Sequence, residues 1–429
     1  MGWSYEQALA YLDDHTDLER MAAGTWEPPT LERVRALAGL LADPQDAQPA
    51  IHVTGTNGKG STVRMLSALL AAHNLSVGTY TSPDLERVNE RLARNGEAVD
   101  DEAFADAVGA VGDLEGLSGI RPHRFEILTL AALRWFADLP VDAAVVEVGL
   151  GGRWDATNIV DGRVAVVTNV GLDHTEVLGP TREHVAREKA GIVKPGSTLV
   201  LGETAPELVA IFEEEGADRV VLRDRDFACT DNIVAVGGRA IGITTPLARY
   251  DDVYLSLHGA HQGDNAAIAV AAAEAFFDRP LDDDVVREAL ASVSVPGRFE
   301  VVGRSPLVVL DGAHNPDGAR AASATLGDFG IGGERFLVVG MNKGRDALQM
   351  LQLLDAGEAR AVVATAVDFP RAMPPEEIAD AARSLGVDVE VVRDVRSAVQ
   401  RAVALAGEDD LVFVTGSLYV VGEARRALH

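Results

Sequence analysis

Between His52 and Ser61 the chain reads HVTGTNGKGS, a glycine-rich stretch with a lysine and a hydroxyl that suit the phosphates of a nucleotide. An apolar run ending at Thr54 precedes it, and Val63, Leu66, Leu69 and Leu70 follow at helical spacing. A strand, a glycine turn and a helix in that order aim several backbone N–H groups and a helix N-terminus at one point, which then holds phosphate oxygens. Lys59 adds a mobile positive charge for the β- and γ-phosphates, and Ser61 offers its hydroxyl to Mg²⁺. The spacing differs from the usual G-x-x-x-x-G-K-[ST]: Gly55 and Gly58 enclose two residues, and Gly60 separates Lys59 from Ser61. The competing reading is a glycine turn without a ligand. Lysine usage weighs against it, because among 38 basic residues only Lys59, Lys189, Lys194 and Lys343 are lysine. Arginine is a planar fork that stays charged, whereas lysine is a compact amine able to react, so a surviving lysine marks a place where arginine would not serve.

Other strand-end motifs could share that site. In VEVGLGGRWDATN, Glu147 closes an apolar run, where a lone carboxylate is costly and calls for a cation or donors. The glycines after it present Arg153, Asp155 and Asn158. In NVGLDHTEVLG, Asp173 and His174 hold the corresponding place, and His174 reads equally as a metal ligand or as a structural histidine. In REKAGIVKPG, Lys189 beside Glu188 is either a solvated ion pair or an amine that takes up CO₂ to form an anionic carbamate ligand for Mg²⁺. Lys194, before Pro195, reads as a helix-end cation. Asn265 in HQGDNAAIA, Arg298 in PGRF, and Asp311, His314 and Asn315 in LDGAHNPDG lie far along the chain, placed to close over a nucleotide; a polar turn is the alternative for the last group.

Alternating strands and helices must position these residues. Apolar runs at 50–55, near Val77, and at 143–149, 164–171 and 198–202 suit a mostly parallel sheet, with helices such as 125–137 between them. Residues 227–257 read as an antiparallel excursion, followed by a helix over about 262–277. Pro296-Gly297 breaks the chain, and a second alternating series follows. The expectation is an α/β protein: an ATP-binding domain over 1–296 and a smaller doubly wound domain over 297–429, with ligands at the carboxyl ends of strands.

At 429 residues and 47% hydrophobic content the chain can bury a large core. A formal charge of −28 without a basic run argues against nucleic acid or an anionic membrane as partner. No run of 18 apolar residues occurs, and the N-terminal stretch is acidic and amphipathic without a signal core, so the expected location is the cytoplasm. One cysteine, Cys229, excludes an intrachain disulfide. Without a coiled-coil stretch or exposed apolar repeat, a monomer is expected.

In sequence and order, HVTGTNGKGS, YTSPDLERVNER, FEILT, VEVGLGGRWDATN, TNVGLDHTEVLG, EKAGIVKPG, HQGDNAAIA, PGRFE, DGAHNPDG and VTGSLYVVG resemble the folylpolyglutamate synthase and dihydrofolate synthase family of the Mur ligase superfamily. The resemblance spans essentially the whole chain and makes the opening loop the Mur-type variant of the phosphate loop. It implies a Mur-ligase-like P-loop ATPase domain plus a Rossmann-like C-terminal domain, with an active site between them. It also implies an ATP-dependent amide ligase that phosphorylates a pterin or folate carboxylate and adds L-glutamate: a dihydrofolate synthase, alone or bifunctional with folylpolyglutamate synthase. ATP contacts would come from Thr56, Asn57, Gly58, Lys59, Gly60, Ser61, Asn265, Arg298, Asp311 and His314. Ser61 and Glu147 would hold one Mg²⁺, and His174 with a carbamylated Lys189 a second. Lys59, Lys189 and His174 would serve catalysis, and Ser82, Pro83, Asp84, Phe125, Glu126, Arg153 and Asp155 would meet the acceptor.

The chain departs from the family where S-P-H-L reads SPDL, so Asp84 replaces a histidine beside the implied folate site and opens the choice of acceptor. Competing readings are a Mur-type ligase for another carboxylate, for which the fifty or so residues before the loop leave little room for a sugar-nucleotide domain, and a nucleotide-dependent switch, which would need neither Lys189 nor the DGAHNP turn.

Overall fold

Apolar runs that end in glycine or a carboxylate become the parallel strands of an eight-stranded sheet. Its strands are β1 (Ala50–Thr54), β2 (Val77–Tyr80), β3 (Leu92–Arg94), β4 (Glu97–Ala98), β5 (Ala143–Glu147), β6 (Val164–Val167), β7 (Thr198–Leu201) and β8 (Arg219–Leu222). They lie in the order β4-β3-β2-β5-β1-β6-β7-β8, parallel from β2 to β8, with the β3–β4 hairpin antiparallel at one edge. The computed structural model describes residues 2–17, 19, 30–330 and 332–428, so Met1, Leu18 and Arg20 of the acidic N-terminal stretch lie outside the described residues.

Burial on both faces explains why the central strands β5, β6 and β7 are nearly unbroken Val, Leu and Ala. Along β1, Ile51 and Val53 face Val63, Leu66, Leu69 and Leu70 of the helix Lys59–Ala72. Ala50, with Ala144 and Val146 of β5, faces the helix Arg124–Asp138 on the other side. The helix His261–Phe277 is rich in alanine and buried nearly all round, which lets it lie close against Lys59–Ala72 and the sheet. The expected antiparallel excursion is a three-stranded sheet, β9 (Ala228–Ala235), β10 (Gly238–Thr244) and β11 (Arg249–Leu255), in the order β11-β10-β9.

Pro296 and Gly297 lie between the helix Asp283–Ser292 and β12 (Glu300–Arg304). From there β13 (Leu307–Leu310), β14 (Arg335–Val339), β15 (Ala361–Ala364), β16 (Val389–Val391) and β17 (Leu411–Thr415) complete a second sheet, ordered β12-β13-β17-β14-β15-β16 and parallel except for β12. The carboxyl ends of β1, β5 and β6 face the carboxyl end of β13 across a cleft. Lys194 differs from its sequence reading. The helix carrying Lys189 ends at Ala190, and Lys194 lies in the turn beyond, where its N–H bonds Ser197 Oγ at 3.3 Å.

Candidate active site

The phosphate loop leaves β1 at Thr54 and enters its helix at Gly58, whose φ of +81° suits glycine. A Cβ on Gly58 would come within 2.4 Å of Asn265 Oδ1, and one on Gly55 within 1.7 Å of Thr168 Oγ1, so bare backbone is required at both positions. The segment after β6 braces the loop. Thr168 Oγ1 donates to Asn57 O at 2.6 Å, Asn57 N donates to Asn169 Oδ1 at 3.0 Å, and Thr56 exchanges side-chain bonds with Gly171.

Two of the four lysines meet at one carbonyl. Lys59 Nζ donates to Gly55 O at 3.1 Å and Lys189 Nζ to the same oxygen at 2.8 Å, although 130 residues separate them in the chain. Lys189 is 3% exposed, and burial together with the charge of Lys59 lowers its pKa to about 7. Its amine is therefore substantially neutral near neutral pH, as a nucleophile toward CO₂ must be. Across the cleft the Arg298 guanidinium forms no hydrogen bond or ion pair within the protein among the described residues. Lys59 and Arg298 thus present positive charge that no internal carboxylate neutralises by direct contact, an arrangement suited to a polyanion.

Glu147 is 3% exposed and accepts one hydrogen bond, from Ser82 N at 3.2 Å; burial raises its pKa. The backbone of Gly60 lies alongside, and Ser61 is buried with Gln262 Nε2 3.4 Å from its hydroxyl. A buried carboxylate with one donor, beside a serine hydroxyl and a phosphate loop, fits a hard divalent cation that takes most of its other ligands from phosphate and water. No cluster of three His, Cys, Asp or Glu residues occurs among the described residues, so the protein alone offers no closed metal cage.

His174 caps the short helix Thr175–Leu178 with φ of +50°. Burial lowers its pKa to about 4, which leaves a ring lone pair free. Both Asp173 and His174 line the cleft. Asp173 accepts from Arg345 Nη2 at 2.6 Å and Asn315 Nδ2 at 3.0 Å, with His314 Nε2 at 3.4 Å. Burial alone would raise its pKa, but the hydrogen bond and charge of His314, with the charges of His174 and Arg345, hold it well below the usual carboxylate range. Asp311 accepts from the backbone N–H groups of Phe299 and Ala313 at 3.0 and 2.9 Å, and burial raises its pKa.

The cleft has a volume of about 520 Å³ and is lined by Thr56 to Ser61, Ser82, Pro83, Glu147, His174, Lys189, Asn265, Arg298, Asp311 and His314. Five residues expected at the acceptor lie outside that lining. Asp84 Oδ1 is bonded to Arg91 Nε at 2.6 Å, and the same buried guanidinium grips Glu19 at 2.6 and 3.1 Å. Phe125 packs against Gly149 and Tyr80. Glu126 accepts from Arg33 Nε and His123 N. Arg153 bonds Glu215 and Arg187 O, which fastens it to the turn after the helix Pro206–Glu213 and to the helix Arg182–Ala190. Asp155 is buried, holding its own loop through Thr157 N and Leu150 N, each at 2.9 Å.

The cleft also contains residues that the motifs did not single out: Gln262, Arg182, Glu203 and Arg223. Arg345 reaches its edge through Asp173. Gln262 falls inside the quoted HQGDN motif, and its place one residue into the helix next to Asn265 was a usable signal. Glu203 and Arg223 sit in segments that follow strands, and Arg182 is the first residue of the helix Arg182–Ala190, with no motif to mark any of them.

Comparison with known proteins gives the family. Residues 122–273 match the Mur ligase middle domain and residues 297–418 the Mur ligase glutamate ligase domain. A dihydrofolate synthase/folylpolyglutamate synthase of Mycobacterium tuberculosis is 37% identical, covering 92% of this chain and 89% of the relative. The solved folylpolyglutamate synthase of M. tuberculosis complexed with ADP and AMPPCP superposes with a TM-score of 0.91 at 34% identity, over 99% of this chain and 98% of that one. A bifunctional folylpolyglutamate synthase/dihydrofolate synthase with Mn, AMPPNP and L-glutamate bound gives 0.86 at 31% identity, over 99% and 98%. The chain belongs to the dihydrofolate synthase/folylpolyglutamate synthase family of Mur ligases.

Proposed function

We propose that this protein joins L-glutamate to a pterin or folate carboxylate at the expense of ATP, as a dihydrofolate synthase that also extends reduced folates. The carrying observation is the convergence of Lys59 and Lys189 on Gly55 O opposite Arg298, whose guanidinium has no bonded partner among the described residues. Phosphates bind Thr56 to Ser61, while Asn265, Arg298, Asp311 and His314 hold the rest of the nucleotide. Lys59 and Arg298 offset the charge on the phosphoryl group as it passes to the acceptor carboxylate, a task of position and electrostatics. The amine of glutamate then attacks the acyl phosphate; the C–N bond forms as phosphate leaves, and a proton is released. Ser82 and Pro83, at the cleft beside Glu147, border the acceptor, with Asp84, Phe125, Glu126, Arg153 and Asp155 forming its outer wall and loops. When bound, divalent cations at Ser61–Glu147 and at His174–Lys189 would screen the phosphate oxygens. For the second site the neutral Lys189 amine adds to CO₂ and loses a proton, giving a carbamate.

Residues 1–296 and 297–429 act as two lobes whose closure keeps water from the acyl phosphate. Among the described residues no helix is long and apolar enough to cross a membrane, and we place the enzyme in the cytoplasm as a monomer.

The test is ADP release with Mg²⁺ and L-glutamate, comparing dihydropteroate with tetrahydrofolate monoglutamate. Stimulation by both is expected. Stimulation by dihydropteroate alone restricts the enzyme to the first glutamate, and stimulation by neither overturns the folate reading in favour of another carboxylate.

A further inference from the structure

Asp173 joins the two lobes through one carboxylate. Oδ1 accepts from the backbone N–H of His174 at 2.8 Å, which fixes that residue's left-handed backbone, and from Arg345 of the second lobe at 2.6 Å. Oδ2 accepts from Asn315 Nδ2 at 3.0 Å and has His314 Nε2 at 3.4 Å. Asn315 is 1% exposed and uses both ends of its amide. Its Oδ1 accepts from Gly318 N at 2.9 Å and caps the helix Pro316–Gly327, and its Nδ2 also donates to Asn57 Oδ1 in the phosphate loop at 2.9 Å. A helix of the second lobe, the phosphate loop and the backbone of His174 therefore share one small network.

We propose that Asp173 is a positioning residue that couples closure of the second lobe to the geometry of the phosphate loop and of His174. The carboxylate is buried and satisfied mainly from the far lobe, so separating the lobes strips it of Arg345, Asn315 and His314 and leaves His174 N as its bonded donor. The same motion withdraws Asn315 from Asn57. Closure and loop geometry then change together, because one side chain serves both. The consequence for coupling of ATP use to amide formation rests on the ligase reading; the consequence for lobe closure does not.

The experiment uses the full chain with Asp173→Asn, Arg345→Gln and Asn315→Asp. The last keeps an oxygen to cap the helix while removing both amide donors. Nitroxide labels at the exposed positions Glu97 and Ser384, in a Cys229→Ser background, report the distance between lobes with AMPPNP and Mg²⁺. The parent is expected to show one short distance and one ADP per amide. Each variant is expected to shift toward longer distances, to lose about 100-fold in kcat through misplacement of the reacting groups, and to release more than one ADP per amide. In that excess, water attacks the acyl carbon, the bond to phosphate breaks and the acceptor carboxylate is regenerated. Unchanged distances in folded variants overturn the proposal, as does a fall in kcat with ADP and amide still one to one. If Asp173→Asn does not fold, Arg345→Gln, altered at the partly exposed partner, decides. If no acceptor is turned over even by the parent, the folate reading fails while the distance measurement still tests the clasp.

Discussion

Four lysines in 429 residues make each one a question about what an amine does that a guanidinium cannot. For Lys189 burial supplies the physical part of the answer. A folded pKa of about 7, against 10.5 in the open chain, leaves the amine increasingly neutral as pH rises above 7 and increasingly protonated below it. Carbamylation needs the neutral form, so activity at pH 8 is expected to fall when CO₂ is stripped from the buffer and to return with bicarbonate. Lys189→Arg should stay inactive under both conditions. Activity indifferent to CO₂, with Lys189→Arg still working, would remove the carbamate from the mechanism. Arg298 makes a different prediction, since its guanidinium has no bonded partner among the described residues and would be drawn to the phosphoryl group in flight. Arg298→Ala should cost about 100-fold in kcat with little change in KM for the acceptor, as for loss of one preorganised donor. An equal rise in KM at constant kcat would assign it to ground-state binding instead.

At the scale of elements, β1 carries the phosphate loop and conceals a polar residue. His52 is fully buried between β5 and β6, with Nε2 2.9 Å from Thr157 Oγ1 and Nδ1 without a partner among the described residues. Burial lowers its pKa to about 3, so between pH 6.5 and 3 the unfolded chain binds a proton there that the folded chain does not. That stability is present above pH 6.5 and is lost as pH falls, at about 1.4 kcal/mol per unit. Urea unfolding of His52→Gln across this window should show a shallower acid loss than the parent; parallel curves would mean that His52 carries no such linkage. The strand carrying His52 was legible because a buried parallel strand is an apolar run closed by glycine, and Glu147, Asp173 and His174 were legible because strand ends are where such folds place ligands. Arg153 followed the same motif logic, yet its loop turns so that its N–H bonds Glu188 O at 2.7 Å and its side chain reaches Glu215. Glu203 and Arg345 were hidden for the opposite reason, since they sit on connections that only the folded topology brings to the cleft, and Arg182, at the start of a helix, is brought there in the same way. Asp84 shows the limit of reading one position by itself: its carboxylate is explained by Arg91, which it shares with Glu19, far away in sequence.

Taken whole, the molecule balances a charge of −28 against ion pairs and hydrogen bonds from arginine that fasten one lobe to the other. Arg425, held by Glu300 of its own lobe, bonds Glu86 of the other, Arg426 donates to Glu86 O at 3.1 Å, Arg371 donates to Glu19 O at 3.0 Å, and Arg345 holds Asp173. Salt acts on these two kinds of interaction unequally. The repulsion is spread over exposed carboxylates and is screened strongly once the Debye length falls from about 30 Å at 0.01 M to about 3 Å at 1 M. The ion pairs that join the lobes, Arg425–Glu86 and Arg345–Asp173, are partly or mostly buried at short distance, where screening by mobile ions is weak. Raising NaCl from low to molar concentration should therefore raise the thermal midpoint, and it should leave the nucleotide-bound distance between the lobes unchanged. A midpoint that falls with salt would show that pairing at the surface outweighs the repulsion. A distance that lengthens would show that the contacts between the lobes are solvent-exposed in solution, and that closure depends on the bound nucleotide instead.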